Sequence, residues 1–346
     1  MTDIQALRAT VQDLVAPAKG ILAADESTGT MGRRLGSIDV ENTEENRRDY
    51  REMLFRTAGA SEYVSGVILY DETLRQKAAD GTPFVEVLQA QGIIPGIKVD
   101  AGLSPLPGAE GEVVTQGLDG LRERLAEYRD LGARFTKWRA LLNVGPAIPS
   151  AYCIETNAHA LARYAALAQE AGLVPIVEPE VLMDGGHDIE RTQEATEAML
   201  LAVFRELAAQ RVALDGMLLK PNMVVSGSDA PGRAGPQEVA ERTVAVFLRT
   251  VPAAMPGIVF LSGGQNDDDA TTNLQAIAAQ GAKAGAPWAL TYSYGRGLQT
   301  LPLATWGGKA AAVEKAQRAF LHRCRVTSAA RQGKYTPAME KELSAV

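Results

Sequence analysis

Eight short apolar runs, each ending in polar or charged residues, constrain the fold of this chain more than any other feature. They are Ile21–Glu26, Val64–Asp71, Ile94–Asp100, Arg134–Leu141, Val174–Val181, Gly216–Asn222, Ile258–Gly263 and Ala289–Gly295. Such runs read as parallel strands buried on both faces. Longer stretches with helical periodicity follow them. Eight strand–helix pairs in succession predict an α/β chain closed into a (β/α)₈ barrel. An open doubly wound sheet is the alternative. The length of 346 residues suits a single domain with extra N- and C-terminal helices. No linker or repeat divides it. Residues 1–335 are expected to form the barrel domain and 336–346 a C-terminal tail, with polar, mobile character beginning near Gln332.

Local signals place several helices. MTDIQALRATVQDLVAP reads as an amphipathic helix ending at Pro17. Asn42-Thr43-Glu44-Glu45 has capping-box spacing, with Asn42 as the cap and Glu45 three places on. Leu118–Leu131 and Ala158–Ala171 stop at Gly132 and Gly172. Asp188–Arg211 and the segment opened by Asp267-Asp268-Asp269 start acidic, as the helix dipole prefers. The run Glu44–Asp49 reads as a solvated helix face. His159, His187 and His322 read as surface or capping residues, and Trp138, Trp288 and Trp306 as packing residues.

Composition narrows the function classes. A net charge of −7 argues against nucleic acid or an anionic membrane as partner, without excluding a local basic pocket. No stretch reaches bilayer length, and the N-terminus lacks the parts of a signal peptide. Two cysteines, Cys153 and Cys324, cannot build a disulfide framework and suit a reducing cytoplasm. Three scattered histidines give no metal-ligand spacing, so no metal is expected.

The C-terminal ends of barrel strands carry function, and here nearly every end is ionisable. The first ends in Asp25-Glu26-Ser27, the third carries Lys98 and Asp100, and the fourth Lys137 and Arg139. The fifth carries Glu178 and Glu180, the sixth Lys220, and the eighth ends with Ser293, Gly295 and Arg296. Residues two apart share a strand face, so Lys137 joins Arg139 and Glu178 joins Glu180. If those faces point inward, cations and carboxylates meet in one cavity and must pair with each other or with a ligand. An internal salt-bridge network is the structural alternative.

Lys220 is the sharpest single residue. In Met217-Leu218-Leu219-Lys220-Pro221-Asn222 it is surrounded by apolar neighbours, which lowers an amine's pKa; Lys137 nearby adds repulsion. A neutral amine can attack a ketone to give an iminium ion. An isolated strand-end lysine more often snorkels to solvent, but Schiff-base chemistry needs an acid/base and Glu178 stands on the preceding strand. Ser262-Gly263-Gly264 and Gly295-Arg296 follow the seventh and eighth strands, where barrels commonly hold phosphate. Lys98 and Arg34 can serve a second phosphate.

The strings GILAADESTGT, ENTEENRRDYR, GIKVD, FTKWRA, VEPEVL, LLKPNMV, FLSGGQ, SYGRGLQ and QGKYTP resemble those of class I fructose-bisphosphate aldolases, in order and over nearly the whole chain. The resemblance implies a metal-independent, cofactor-free lyase that splits fructose 1,6-bisphosphate into dihydroxyacetone phosphate and glyceraldehyde 3-phosphate. It implies Lys220 as Schiff-base lysine, Glu178 as general acid/base, Lys137 as support for carbinolamine formation, and Asp25 as the group on the substrate hydroxyls. Ser262, Gly263, Gly264, Ser293, Gly295 and Arg296 correspond to the site of the phosphate nearest the ketone. Arg34, Lys98 and Arg139 correspond to contacts toward the other end. A homotetramer in the cytoplasm is implied as well. Two departures stand out: Thr30 where the family often has serine, and a chain ending Leu343-Ser344-Ala345-Val346 where animal members end in tyrosine. A transaldolase-type Schiff-base enzyme, a non-catalytic scaffold on the same fold, and a metal-dependent aldolase are the alternatives.

Overall fold

The computed structural model describes residues 3–342. Helix α1 (Ile4–Leu14) precedes β1 (Gly20–Ala24), α2 (Thr28–Gly36) and α3 (Glu44–Phe55). Then come β2 (Val64–Leu69), α4 (Asp71–Arg75), α5 (Phe84–Gln89), β3 (Ile94–Lys98), a hairpin of β4 (Leu103–Pro105) with β5 (Val113–Thr115), and α6 (Leu121–Asp130). The second half runs β6 (Phe135–Leu142), α7 (Ala151–Glu170), β7 (Val174–Val181), α8 (Ile189–Ala209), β8 (Leu218–Leu219), α9 (Pro236–Thr250), β9 (Gly257–Phe260), α10 (Asp267–Ala284) and β10 (Ala289–Tyr294). Helices α11 (Arg296–Trp306), α12 (Val313–Arg331) and α13 (Pro337–Lys341) finish it. Eight strands close in the order β1-β10-β9-β8-β7-β6-β3-β2, every pairing parallel. The chain is therefore a closed barrel and not an open sheet.

Alternation along the strands sorts side chains into two layers. Leu22, Ala24, Trp138, Ala140, Val177 and Leu219 pack outward under the helices. Ile21, Ala23, Phe135, Val174, Ile176, Leu218 and Val259 fill the lower barrel, where Leu7, Val11 and Leu14 of α1 close its floor. Burying each such side chain is worth about 1.5–3 kcal/mol. Asp3 caps α1 by accepting from the Gln5 and Ala6 amides, which fixes where this plug begins. Gly96 admits the Phe135 ring, because a Cβ there would lie 2.3 Å from it. Continuing each inward row by two residues replaces apolar side chains with charged ones: Ile21-Ala23-Asp25, Phe135-Lys137-Arg139, Ile176-Glu178-Glu180, Leu218-Lys220. The apolar floor thus aims the charged rows into the upper barrel.

Several expectations shift. The run Gly216–Asn222 supplies only Leu218–Leu219 as strand, because Pro221 has no N–H for the ladder. Lys220 still donates its amide to the Val177 carbonyl at 2.8 Å, which fixes its direction. The cap of α3 is Thr43, whose Oγ1 accepts from the Asn46 amide at 3.1 Å; Asn42 lies one residue outside. Its charge run is not wholly solvated, since Arg47 turns inward to Glu72. His322 is buried in α12, 3.6 Å from Glu340. The segment after Gln332 holds α13, where Arg323 binds both Glu340 oxygens at 2.8 Å. Residues 343–346, with the chain-end departure, lie outside the described residues. No helix of the described residues is long and apolar enough to cross a membrane.

Candidate active site

The charged rows open into a cavity of about 770 Å³ at the C-terminal end of the barrel. Its wall includes Asp25, Lys98, Lys137, Arg139, Glu178 and Lys220, with Arg34, Ser262, Gly263, Ser293, Gly295 and Arg296. Of the thirteen sequence-predicted residues, only Gly264 is not part of that wall; it is exposed in the turn beyond, where a Cβ would meet Met183 Sδ at 3.0 Å. A smaller cleft of about 460 Å³ beside α6 and α7 shares none of these residues.

Glu178 is the hinge of the arrangement. One oxygen lies 3.1 Å from Lys220 Nζ and the other 3.1 Å from Lys137 Nζ. The oxygen toward Lys137 is buried and out of hydrogen-bond alignment. Lys137 Nζ is also 2.6 Å from Asp25 Oδ2, reaching from β6 to the end of β1 across the barrel mouth. Four ionisable groups from four strands therefore form one line: Lys220, Glu178, Lys137, Asp25. The parallel register sets Arg139 beside Glu178, and Lys98 beside Lys137.

Electrostatics keeps Asp25, Glu178 and Lys137 charged. Burial works against each charge, yet Asp25 is held well below the usual carboxylate range by Lys137, then Lys220 and Lys98. Burial would likewise raise Glu178, but Lys137, Lys220 and Arg139 bring it down. Burial pulls Lys137 down, and Asp25, Glu178 and Asp100 more than reverse it. Lys137 is thus a cation held between two carboxylates. Lys220 is buried at the end of the line with one oxygen of Glu178 in reach.

The wall beyond holds an excess of positive charge. Seven cationic residues face five carboxylates, in a chain of net charge −7. Arg34 pairs with Glu26, Arg139 with Glu180, and Lys98 with Asp100. Arg296 has no ion pair among the described residues; it donates to the Gly263 carbonyl and ties two loops together. Burial, Arg34 and Arg139 all lower its pKa. Ser293 Oγ is buried and without a partner. Gly263 has φ +58°, a conformation that favours glycine, and starts the turn into α10. Gly295 precedes α11. An unpaired cation, an unpartnered hydroxyl and the N-terminus of α11 form a cradle for an anion. Arg34 Nη2 lies close beside Gly295.

What stands behind Arg34 has no signal in the sequence. Glu26 was visible only as one of three polar residues ending a strand. Its partners Arg51 and Gln299 come from two helices far apart in sequence, and Tyr50 holds Gln299 in turn. Arg33, Ser27 and Thr30, also in the wall, follow directly after β1 and could have been found as polar residues at a strand end.

A family profile described as "Fructose-bisphosphate aldolase class-I" matches residues 6–345. A cytosolic fructose-bisphosphate aldolase of Arabidopsis thaliana is 56% identical over 319 residues, covering 92% of this chain and 88% of that one. A probable class 1 fructose-bisphosphate aldolase of Xanthomonas axonopodis pv. citri is 54% identical, covering 96% and 99%. The fructose-bisphosphate aldolase of Plasmodium falciparum, crystallised with TRAP and a small-molecule inhibitor, superposes with a TM-score of 0.94 at 49% identity, over 96% of each chain.

Proposed function

The chain belongs to the class I fructose-bisphosphate aldolase family, and from that premise we propose that the barrel-mouth cavity cleaves fructose 1,6-bisphosphate through a Schiff base on Lys220. The reaction is the reversible lyase step of glycolysis, giving dihydroxyacetone phosphate and glyceraldehyde 3-phosphate. The observation that carries the assignment of residues is the line Lys220–Glu178–Lys137–Asp25, with contacts of 3.1, 3.1 and 2.6 Å.

Each step up to carbon–carbon cleavage has a group in place. Lys220 transfers a proton to Glu178 and attacks the ketone carbon with the freed pair. Glu178 returns that proton to the carbinolamine hydroxyl, which leaves as water and creates the iminium. Lys137 holds the developing oxyanion of the addition step. The iminium then draws in the electron pair of the C3–C4 bond, while a carboxylate takes the proton of the C4 hydroxyl. Asp25 is suited to it, since Lys137 and Lys220 keep it ionised. No metal is needed, because the iminium is the electron sink. Activity is therefore expected to survive exhaustive chelation; loss restored by zinc would overturn this.

Two phosphates of roughly −1.5 to −2 charges each account for a basic pocket in an acidic chain. Ser262, Gly263, Ser293, Gly295 and Arg296, with Gly264 in the same turn, receive the phosphate nearest the ketone. Lys98, Arg139 and Arg34 face the other end. The second basic group favours a bisphosphate over the single phosphate of transaldolase-type substrates. The buried charge line, costly to retain without a purpose, favours catalysis over a scaffold role. We also assign the chain to the cytoplasm as a homotetramer, with no nucleic acid or membrane partner. Its net charge, its free cysteines and the cytosolic naming of its plant relatives support the compartment.

Borohydride reduction in the presence of substrate tests the assignment. The adduct is expected on the peptide bearing Lys220. An adduct on Lys137 would exchange their roles, and cleavage without any adduct would sink the Schiff base.

A further inference from the structure

Arg34 reaches the cavity with a chain of buried charge behind it. It pairs with Glu26, whose side chain is 5% exposed. Glu26 is gripped from two more sides. Gln299 Nε2 donates to its Oε1 at 2.8 Å and to the Ala23 carbonyl at 2.7 Å, and Tyr50 OH donates to Gln299 Oε1 at 3.1 Å. Arg51 Nη2 donates to the Glu26 carbonyl at 2.8 Å and lies 3.9 Å from its Oε2. On its far side, Arg51 Nη1 is 3.7 Å from Glu72, which Arg47 Nε holds at 2.9 Å.

Arg51 is an expensive residue to keep. It is 1% exposed and does not itself line the cavity. Its Nε and Nη1 have no hydrogen-bond partner. Well-packed apolar side chains of similar volume commonly match or exceed the stability of buried ion pairs. What Arg51 does supply is a fixed location for Glu26, through backbone and carboxylate together. Glu26 in turn removes the swing of Arg34, a long side chain that would otherwise lose rotamer entropy when it met substrate.

We propose that Arg51 is a positioning residue for substrate recognition, acting through Glu26 on Arg34. Arg51 fixes the carboxylate, the carboxylate fixes the guanidinium, and the guanidinium meets a phosphate already oriented. The proposal rests on the reading of Arg34 as a phosphate contact.

Kinetics of Arg51→Lys, Arg34→Ala and their double variant test it. Lysine keeps the charge but lacks the fork that reaches both the carbonyl and the carboxylate. Arg51→Lys is expected to raise KM for fructose 1,6-bisphosphate by about tenfold, with kcat unchanged. In the Arg34→Ala background the same change should add nothing, because the relay has lost its last member. An unchanged KM, a fall in kcat with KM unmoved, or the same KM factor in both backgrounds overturns the proposal. If Arg51→Lys does not fold, Gln299→Met removes the second grip on Glu26 and must show the same coupling to Arg34. Arg34→Ala alone isolates the underlying reading. A loss on fructose 1,6-bisphosphate but not on fructose 1-phosphate supports a contact at the second phosphate. Equal losses move Arg34 to the shared phosphate beside Gly295, and no loss on either removes it from phosphate recognition altogether.

Discussion

The Lys220→Met variant is expected to lose about 10⁵-fold or more in kcat for fructose 1,6-bisphosphate cleavage, and to give no borohydride-stable adduct. Methionine keeps the length and apolar stem, and the Lys220 side chain is only 4% exposed, so packing at the end of β8 is retained. Only the amine is lost. Without it there is no iminium, and the carbanion left by C3–C4 cleavage has no electron sink. Glu178 stays ionised in the variant, because Lys137 is its strongest opposing charge and remains 3.1 Å away. A folded, phosphate-binding and inactive protein is the outcome. A variant that keeps more than about a hundredth of its activity would sink the assignment, since no general acid/base loss is confused with so small an effect.

Lys137 is the competitor for the nucleophile role, and geometry separates the two lysines. Lys137 sits between two carboxylates, Asp25 and Glu178, and both raise its pKa. An amine so held keeps its proton and its lone pair is not free. Lys220 has a single carboxylate oxygen within an ion pair's reach. One partner is enough to take a proton and return it. The asymmetry of one carboxylate against two supports the proposed division of labour between Lys220 as nucleophile and Lys137 as cation.

Much of this was legible from the strands. Period-two alternation alone put Lys137 with Arg139 and Glu178 with Glu180, and their faces do point into the barrel. Lys220 was conspicuous because Met217, Leu218 and Leu219 precede it. What the alternation could not supply was partnership across the mouth, such as Lys137 with Asp25, separated by more than a hundred residues. The same blindness misjudged Arg47 and left Arg51 unseen. Both are charged positions in a polar helix, and carboxylates distant in sequence turn them inward: Glu72 of α4 for Arg47, Glu26 and Glu72 for Arg51. The hairpin β4–β5 escaped because three-residue strands carry no period. Strand β8 was drawn too long, although Pro221 stood in the run as a stop signal. Local pattern reports which way a side chain faces, whereas long-range pairing decides what it meets.

Lys137→Met should cost both catalysis and stability, and the stability loss should depend on pH in a direction that identifies the cause. In the native protein Asp25 and Glu178 have lowered pKa values. Lowered carboxylates contribute stability above their ordinary range, 3.8 and 4.5 here, that is lost as pH falls through the folded values. Lys137 has a raised pKa and contributes below the ordinary lysine value, so its stabilisation is fully present at neutral pH. Removing it leaves two buried carboxylates with burial, their largest influence, opposed mainly by Lys220. Both then titrate upward. The expected cost is about 3–5 kcal/mol near neutrality, as for a buried ion pair broken from one side. Because the carboxyls now prefer their protons when folded, that cost shrinks as pH falls. The gap in Tm between the two proteins should narrow from about pH 8 to about pH 5. kcat should fall about 10²- to 10³-fold, since Asp25 loses the cation that keeps it ionised and the addition step loses its positive charge. A Tm gap constant across that range would mean that Lys137 supports the barrel by packing alone. An unchanged kcat would mean that the line from Asp25 to Lys220 is not the path of the reaction.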